Sequence, residues 1–190
     1  MRTARTTHLL LASMSFVIPA GPLLAQHTEH RAQEQTYYST DIETMEGKFI
    51  ELAEAFPADK YSWRPMEGTR TVSQVFMLIV AENYAIPSMW GAGPAEGVPA
   101  GNEVFQTMPQ VTDKAEVMDH LRKSFTYYRS AVDNLDAESL HRTVQFFGQE
   151  RTVNESIFII TGDMHEHLGQ AIAYARMNQI VPPWTARQAN

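Results

Sequence analysis

The 190-residue chain contains no cysteine. No disulfide can brace it and no side-chain thiol can act as nucleophile or metal ligand, so an apolar core must supply its stability. A lipid anchor on an N-terminal cysteine is excluded for the same reason. Runs of lysine and arginine are also missing, and 22 acidic side chains outnumber 15 basic ones. A chain without a basic patch gains nothing from counterion release, so nucleic acid is not an expected partner. Past residue 25 no stretch holds the roughly 18 consecutive apolar residues that a spanning helix needs. There are no internal repeats and no low-complexity blocks.

What is present begins with the first 25 residues. Arg2 and Arg5 form a basic start, "LLLASMSFVIPAGPLLA" follows, and the small Ala25 precedes the polar "QHTEHRAQEQ". This is the pattern of a secretory signal peptide cut near Ala25–Gln26. Pro19, Gly21 and Pro22 make the same run a poor spanning helix. The expected product is exported, periplasmic or extracellular, with no stable membrane anchor after cleavage. Two arginines leave with residues 1–25, which takes the formal charge from −7 to −9.

Residues 26–35 read as a flexible polar lead, 36–184 as one domain and 185–190 as a tail. A hydrophobic share of 44% suits a single core. Four segments carry helical patterns. In the first, Ile42, Met45, Phe49, Leu52 and Phe56 step by three and four; Ser39 or Thr40 can cap it and Pro57 stops it. The second opens with Thr71 and Gln74 at capping-box spacing. It holds six apolar residues in a row from Phe76 to Ala81, and Pro87 limits or kinks it. The third starts at Asp113 and Glu116 and presents Val117, Leu121, Phe125, Tyr128, Val132 and Leu135. The fourth runs from about Asn154 to Asn178, with Ile157, Ile160, Met164, Leu168, Ala171 and Ala175 on its core face, and Pro182 and Pro183 end it.

Residues 91–111 hold four glycines and three prolines. A 21-residue connection exceeds what neighbouring antiparallel helices need and suits a crossover along a bundle. Residues 136–153 fit a short hairpin or a plain loop. The whole reads as an all-α four-helix bundle with a long crossover between helices two and three.

Chemistry concentrates in "GDMHEHLGQAIAYARMNQIVPPW", residues 162–184. Asp163 and His167 are four apart and project from one side of the last helix, and Gln170 and Tyr174 continue that stripe. His165 and Glu166 point elsewhere. A catalytic metal site needs about three protein ligands and an open position. Asp163 and His167 supply two, and a third would come from Glu82 on helix two or His120 on helix three. The competing reading is an inward histidine that is simply hydrogen bonded in the core. His27 and His30 lie in the lead, where they could hold metal only adventitiously. The ten methionines are scattered and read as core filler rather than copper ligands. Trp63 and Arg64 read as packing before helix two, and Trp184 as a cover for the bundle end.

Three stretches carry a family resemblance: "KYSWRPMEGTRTVSQVF", "VAENYAI" and "HLGQAIAYARMNQIVPP". The last is similar to the ending H-R-G-Q…Y-x-R-x-x-G-x-x-P-P of the DinB-like family, which is related to metal-dependent thiol transferases of the YfiT type. The resemblance covers about residues 36–184. It implies an up-down-down-up bundle. It also implies, in many members, three histidines on a divalent metal such as zinc or nickel: one from helix two, two from an H-x-x-x-H on helix four. Here His167 stands at the second of that pair, Asp163 at the first, and Leu78 at the helix-two position. Leucine offers no lone pair, so the usual triad is broken and a metal would have to recruit Glu82 or water. The family's arginine after the histidine is Leu168, and its glycine near the end is Gln179.

Two functions follow. The first is an exported binding or accessory protein without the standard metal chemistry. Its bundle cavity would take a small molecule between Leu78, Glu82, Asp163, His167 and Tyr84 or Tyr174. The second is a divalent-metal-dependent transferase or hydrolase with a rebuilt site of Glu82, Asp163 and His167. A homodimer is compatible with either.

Overall fold

A computed structural model describes residues 21–99 and 101–188, with side chains described from Thr36 onward except Ala137. Residues 1–20, most of the expected signal peptide, lie outside the described residues.

Four long helices form the body: α1 (Gly21–Ala55), α2 (Val72–Met89), α4 (Lys114–Asp133) and α6 (Val153–Met177). Between them come the short α3 (Asn102–Thr107) and α5 (Ala137–His141), and α7 (Pro183–Gln188) closes the chain. The apolar stripes read from the sequence are the buried faces: Ile42, Phe49 and Leu52 of α1, Leu121 and Phe125 of α4, and Ile157, Met164 and Ala175 of α6. Helix α2 is buried around most of its circumference, as its unbroken apolar run requires.

Helix α1 packs against α4 and α6, and so does α2. Ser39 and Glu46 of α1 meet Asp133 and Arg129 of α4, while Lys114 reaches the Phe56 carbonyl, so these two helices are antiparallel. Tyr38 meets Asn154 and Asp41 meets His165, so α1 and α6 are parallel. Trp90 meets Ser156 and the Arg70 carbonyl meets Tyr174, so α2 and α6 are antiparallel. Across the core, α1 and α2 touch through the rings of Phe49, Phe56 and Phe76.

Helix starts follow local chemistry. Thr71 and Gln74 form the expected capping box, and Asp113 accepts from the Ala115 and Glu116 amides. Thr152 and Glu155 form a second capping box that starts α6. The first helix differs from expectation. Neither Ser39 nor Thr40 caps it, because the helix begins at Gly21 and the Ser39 hydroxyl donates to Asp133 instead. Residues 26–35, expected as a flexible lead, are part of this helix; their glutamine, glutamate, alanine and arginine content favours helix, with no glycine or proline to interrupt it.

The crossover carries secondary structure of its own. Helix α3 and the turn after it pack on α2, with Val104 and Met108 buried. The stretch before α6 resolves as a hairpin of β1 (Thr143–Phe146) and β2 (Gln149–Thr152), paired antiparallel with Thr143 opposite Thr152. Its two-residue turn, Phe147 and Gly148, takes positive φ at both positions, the geometry that matches strand twist.

Candidate functional site

The site lies on the seam between α2 and α6. Asp163 and His167 project from one face of α6, and His167 is only 8% exposed. Their nearest approach is 3.4 Å, from His167 Nε2 to Asp163 Oδ2. Glu82 comes from the middle of α2 and is 9% exposed. The Asp163 carboxyl comes close enough to act on it, so α2 and α6 bring two acids together on the seam. Glu82 Oε2 and Asp163 Oδ2 are both buried, and neither has a hydrogen-bond partner.

Two carboxyls brought together away from water repel each other unless one holds a proton. Burial, followed by the charge of Asp163, pushes the Glu82 carboxyl up to about 9, and Arg70 pulls weakly the other way. Glu82 is therefore the neutral acid of the pair at neutral pH. Its influence extends to Tyr128, whose buried phenol has no partner and is raised first by burial and then by Glu82.

On its other side the histidine is anchored. His167 Nδ1 lies 3.0 Å from Gln170 Oε1, Gln170 Nε2 lies 3.1 Å from the Tyr174 hydroxyl, and that hydroxyl is 3.1 Å from the Arg70 carbonyl. Trp63 packs edge-on against Tyr174 at 5.4 Å, which gives it the structural role expected of it. The stripe of Gln170 and Tyr174 was visible as spacing. The part played by the backbone of Arg70 was not, because no sequence pattern marks a carbonyl that closes a network.

The remaining candidates separate. Leu78 is half-buried one turn before Glu82 on α2. His165 turns away to pair with Asp41 at 3.0 Å. His120 packs on Tyr84, so neither joins His167: Tyr84 faces α4 and also meets Tyr127. A cleft of about 470 Å³ lies elsewhere, beyond the end of α2, between Trp90, Tyr127, Asn134 and Arg142.

A metal needs donors gathered around one position. Glu82, Asp163 and His167 have suitable donor chemistry, but among the described residues no three histidine, aspartate or glutamate side chains are gathered so as to hold an ion. The donor set does not fit a metal as the helices place it. No helix among the described residues is long and apolar enough to cross a membrane.

The family model described as the DinB superfamily matches residues 41–171, more than two thirds of the chain. A DinB-like protein from Bacillus cereus ATCC 10987 is similar in structure, with a TM-score of 0.63 and 18% identity over 82% of this chain and 95% of that one. A DinB-like protein from Bacillus subtilis gives a TM-score of 0.61 and 19% identity over 76% and 93%. At these identities the likeness speaks for the fold alone. No curated protein matches the chain.

Proposed function

The chain belongs to the DinB superfamily, and from that premise we propose that it is an exported binding or accessory protein whose bundle site holds a shared proton where the resemblance implies a metal. The observation that carries this reading is the meeting of the Glu82 and Asp163 carboxyls on the α2–α6 seam, with Glu82 Oε2 and Asp163 Oδ2 buried and without a hydrogen-bond partner. One proton there neutralises the repulsion that a divalent ion would otherwise relieve. Leu78, half-buried beside the pair, supplies apolar surface and no donor. The ligand that suits such a seam is a small molecule with a polar end toward Asp163 and His167 and an apolar part toward Leu78. Export rests on the basic start, apolar run and small residue of the first 25 positions.

The test is metal content and thermal midpoint of the mature chain, purified without added metal salts. We expect no stoichiometric ion, and no movement of the midpoint with chelator, zinc or nickel. A bound ion at about 100 times its dissociation constant would add roughly 2.7 kcal/mol and could not be missed.

A second reading is favoured by the two buried carboxylate oxygens that receive no donor. In it, Glu82, Asp163 and His167 shift to hold a divalent ion, which would lower the pKa of a bound water or thiol. One equivalent of ion, lost in both Asp163→Ala and His167→Ala, would establish this reading and remove the first.

A further inference from the structure

The bonds running from the start of α2 to His167 have only one consistent direction. Tyr174 donates to the Arg70 carbonyl at 3.1 Å. A carbonyl oxygen only accepts, so the single phenolic hydrogen is committed there. The phenol oxygen then has only lone pairs for Gln170, and the amide must turn its NH2 toward it, at 3.1 Å. That leaves Gln170 Oε1 facing His167 Nδ1 at 3.0 Å. Amide oxygen is again an acceptor, so the ring nitrogen opposite it must carry the hydrogen. One backbone carbonyl thus sets the polarity of every bond up to the imidazole.

We infer that Tyr174, acting through Gln170, locks neutral His167 as its Nδ1–H tautomer and presents a bare Nε2 lone pair to the α2–α6 seam. Tyr174 is a positioning residue here, itself buried and held by Trp63. The lone pair faces Asp163 Oδ2 at 3.4 Å, an oxygen that meets no donor. Two acceptors side by side call for a hydrogen between them. The seam therefore selects a ligand that brings one, on an N–H, O–H or S–H group, and discriminates against ligands that offer only acceptors there. The ligand class rests on the binding reading above. The tautomer does not, because it is set by the protein's own hydrogen bonds.

The experiment is nitrogen-15 imidazole NMR on chelator-treated protein, at a pH where the His167 ring shows its neutral form. The wild type should show a protonated Nδ1 and a bare Nε2. Tyr174→Phe frees the amide to flip and should lose the Nδ1–H form as the major species. Gln170→Glu keeps an acceptor opposite Nδ1 and should retain it. An Nε2–H tautomer in the wild type, an unchanged tautomer in Tyr174→Phe, or its loss in Gln170→Glu would each overturn the assignment. If Tyr174→Phe does not fold, the wild-type ring and Gln170→Glu still decide. A stoichiometric metal would sink the proposed function but leave the tautomer standing in metal-free protein, so the two failures are distinguishable.

Discussion

Glu82 is the residue whose chemistry departs furthest from its type. Burial and then the charge of Asp163 push this carboxyl from its ordinary value near 4.5 up to about 9 in the folded chain. Between those values the folded state holds a proton that the unfolded state has released. Its stabilising effect is full below the lower value and is lost as pH rises through the upper one. Glu82→Gln stays neutral throughout and removes that slope. Its stability relative to wild type should rise steadily from about pH 5 to 9, by at most about 1.4 kcal/mol per pH unit. Urea unfolding of both proteins at several pH values checks this, and parallel profiles would contradict it. Spacing alone showed that Asp163 and His167 share a face and that Glu82 lies on a stripe of α2. It could not show that the two acids touch, because that depends on how closely two helices 80 residues apart in the chain approach.

At the scale of elements, the ends of α2 and α6 make a matched pair. Both close in a Schellman motif. At α2 the Ala92 amide reaches the Pro87 carbonyl, and Gly91 takes φ of 91°. At α6 the Ile180 amide reaches the Ala175 carbonyl, and the residue in the left-handed position is Gln179, with φ of 61°. A side chain there costs about 1 kcal/mol or more, and glycine does not pay it. Gln179→Gly, which restores the family's usual residue, should raise stability by about 0.5–1 kcal/mol after the added freedom of the unfolded chain is counted. Thr152→Ala should lower it by about 1 kcal/mol, since it removes the hydroxyl that accepts from the Glu155 amide. Thermal or urea unfolding measures both. The long helices were legible because their apolar residues recur every three to four positions. The start of α1 was not: Ser39 and Thr40 have the chemistry of caps, and only the position of Asp133 shows that Ser39 is engaged elsewhere. The capping box at Thr152 was hidden because the hairpin before it has no strong period.

For the molecule as a whole, the absence of disulfides places its stability on one shared core. Phe49 is the clearest link: its ring meets Phe76 of α2 and Phe125 of α4 at 6.4 and 5.9 Å, and it is fully buried. Phe49→Ala should cost about 3–5 kcal/mol. It should lower the urea midpoint of one cooperative transition rather than split that transition in two. The all-α class was readable from composition and period. Which helices are neighbours was not, because four amphipathic stripes can be arranged around a core in several ways, and contacts between distant segments choose among them.

The crossover leaves α2 at its C-terminal end, while the hydrogen-bonded chain to His167 begins at Arg70, before that helix starts. A Cβ at Gly97, on the crossover, would meet nothing within 4 Å, but its φ of 71° favours glycine itself. A fluorescent reporter or epitope inserted beside Gly97, with the glycine kept, would ride on the bundle away from its seam, which makes this turn a practical attachment point for following the protein in cells.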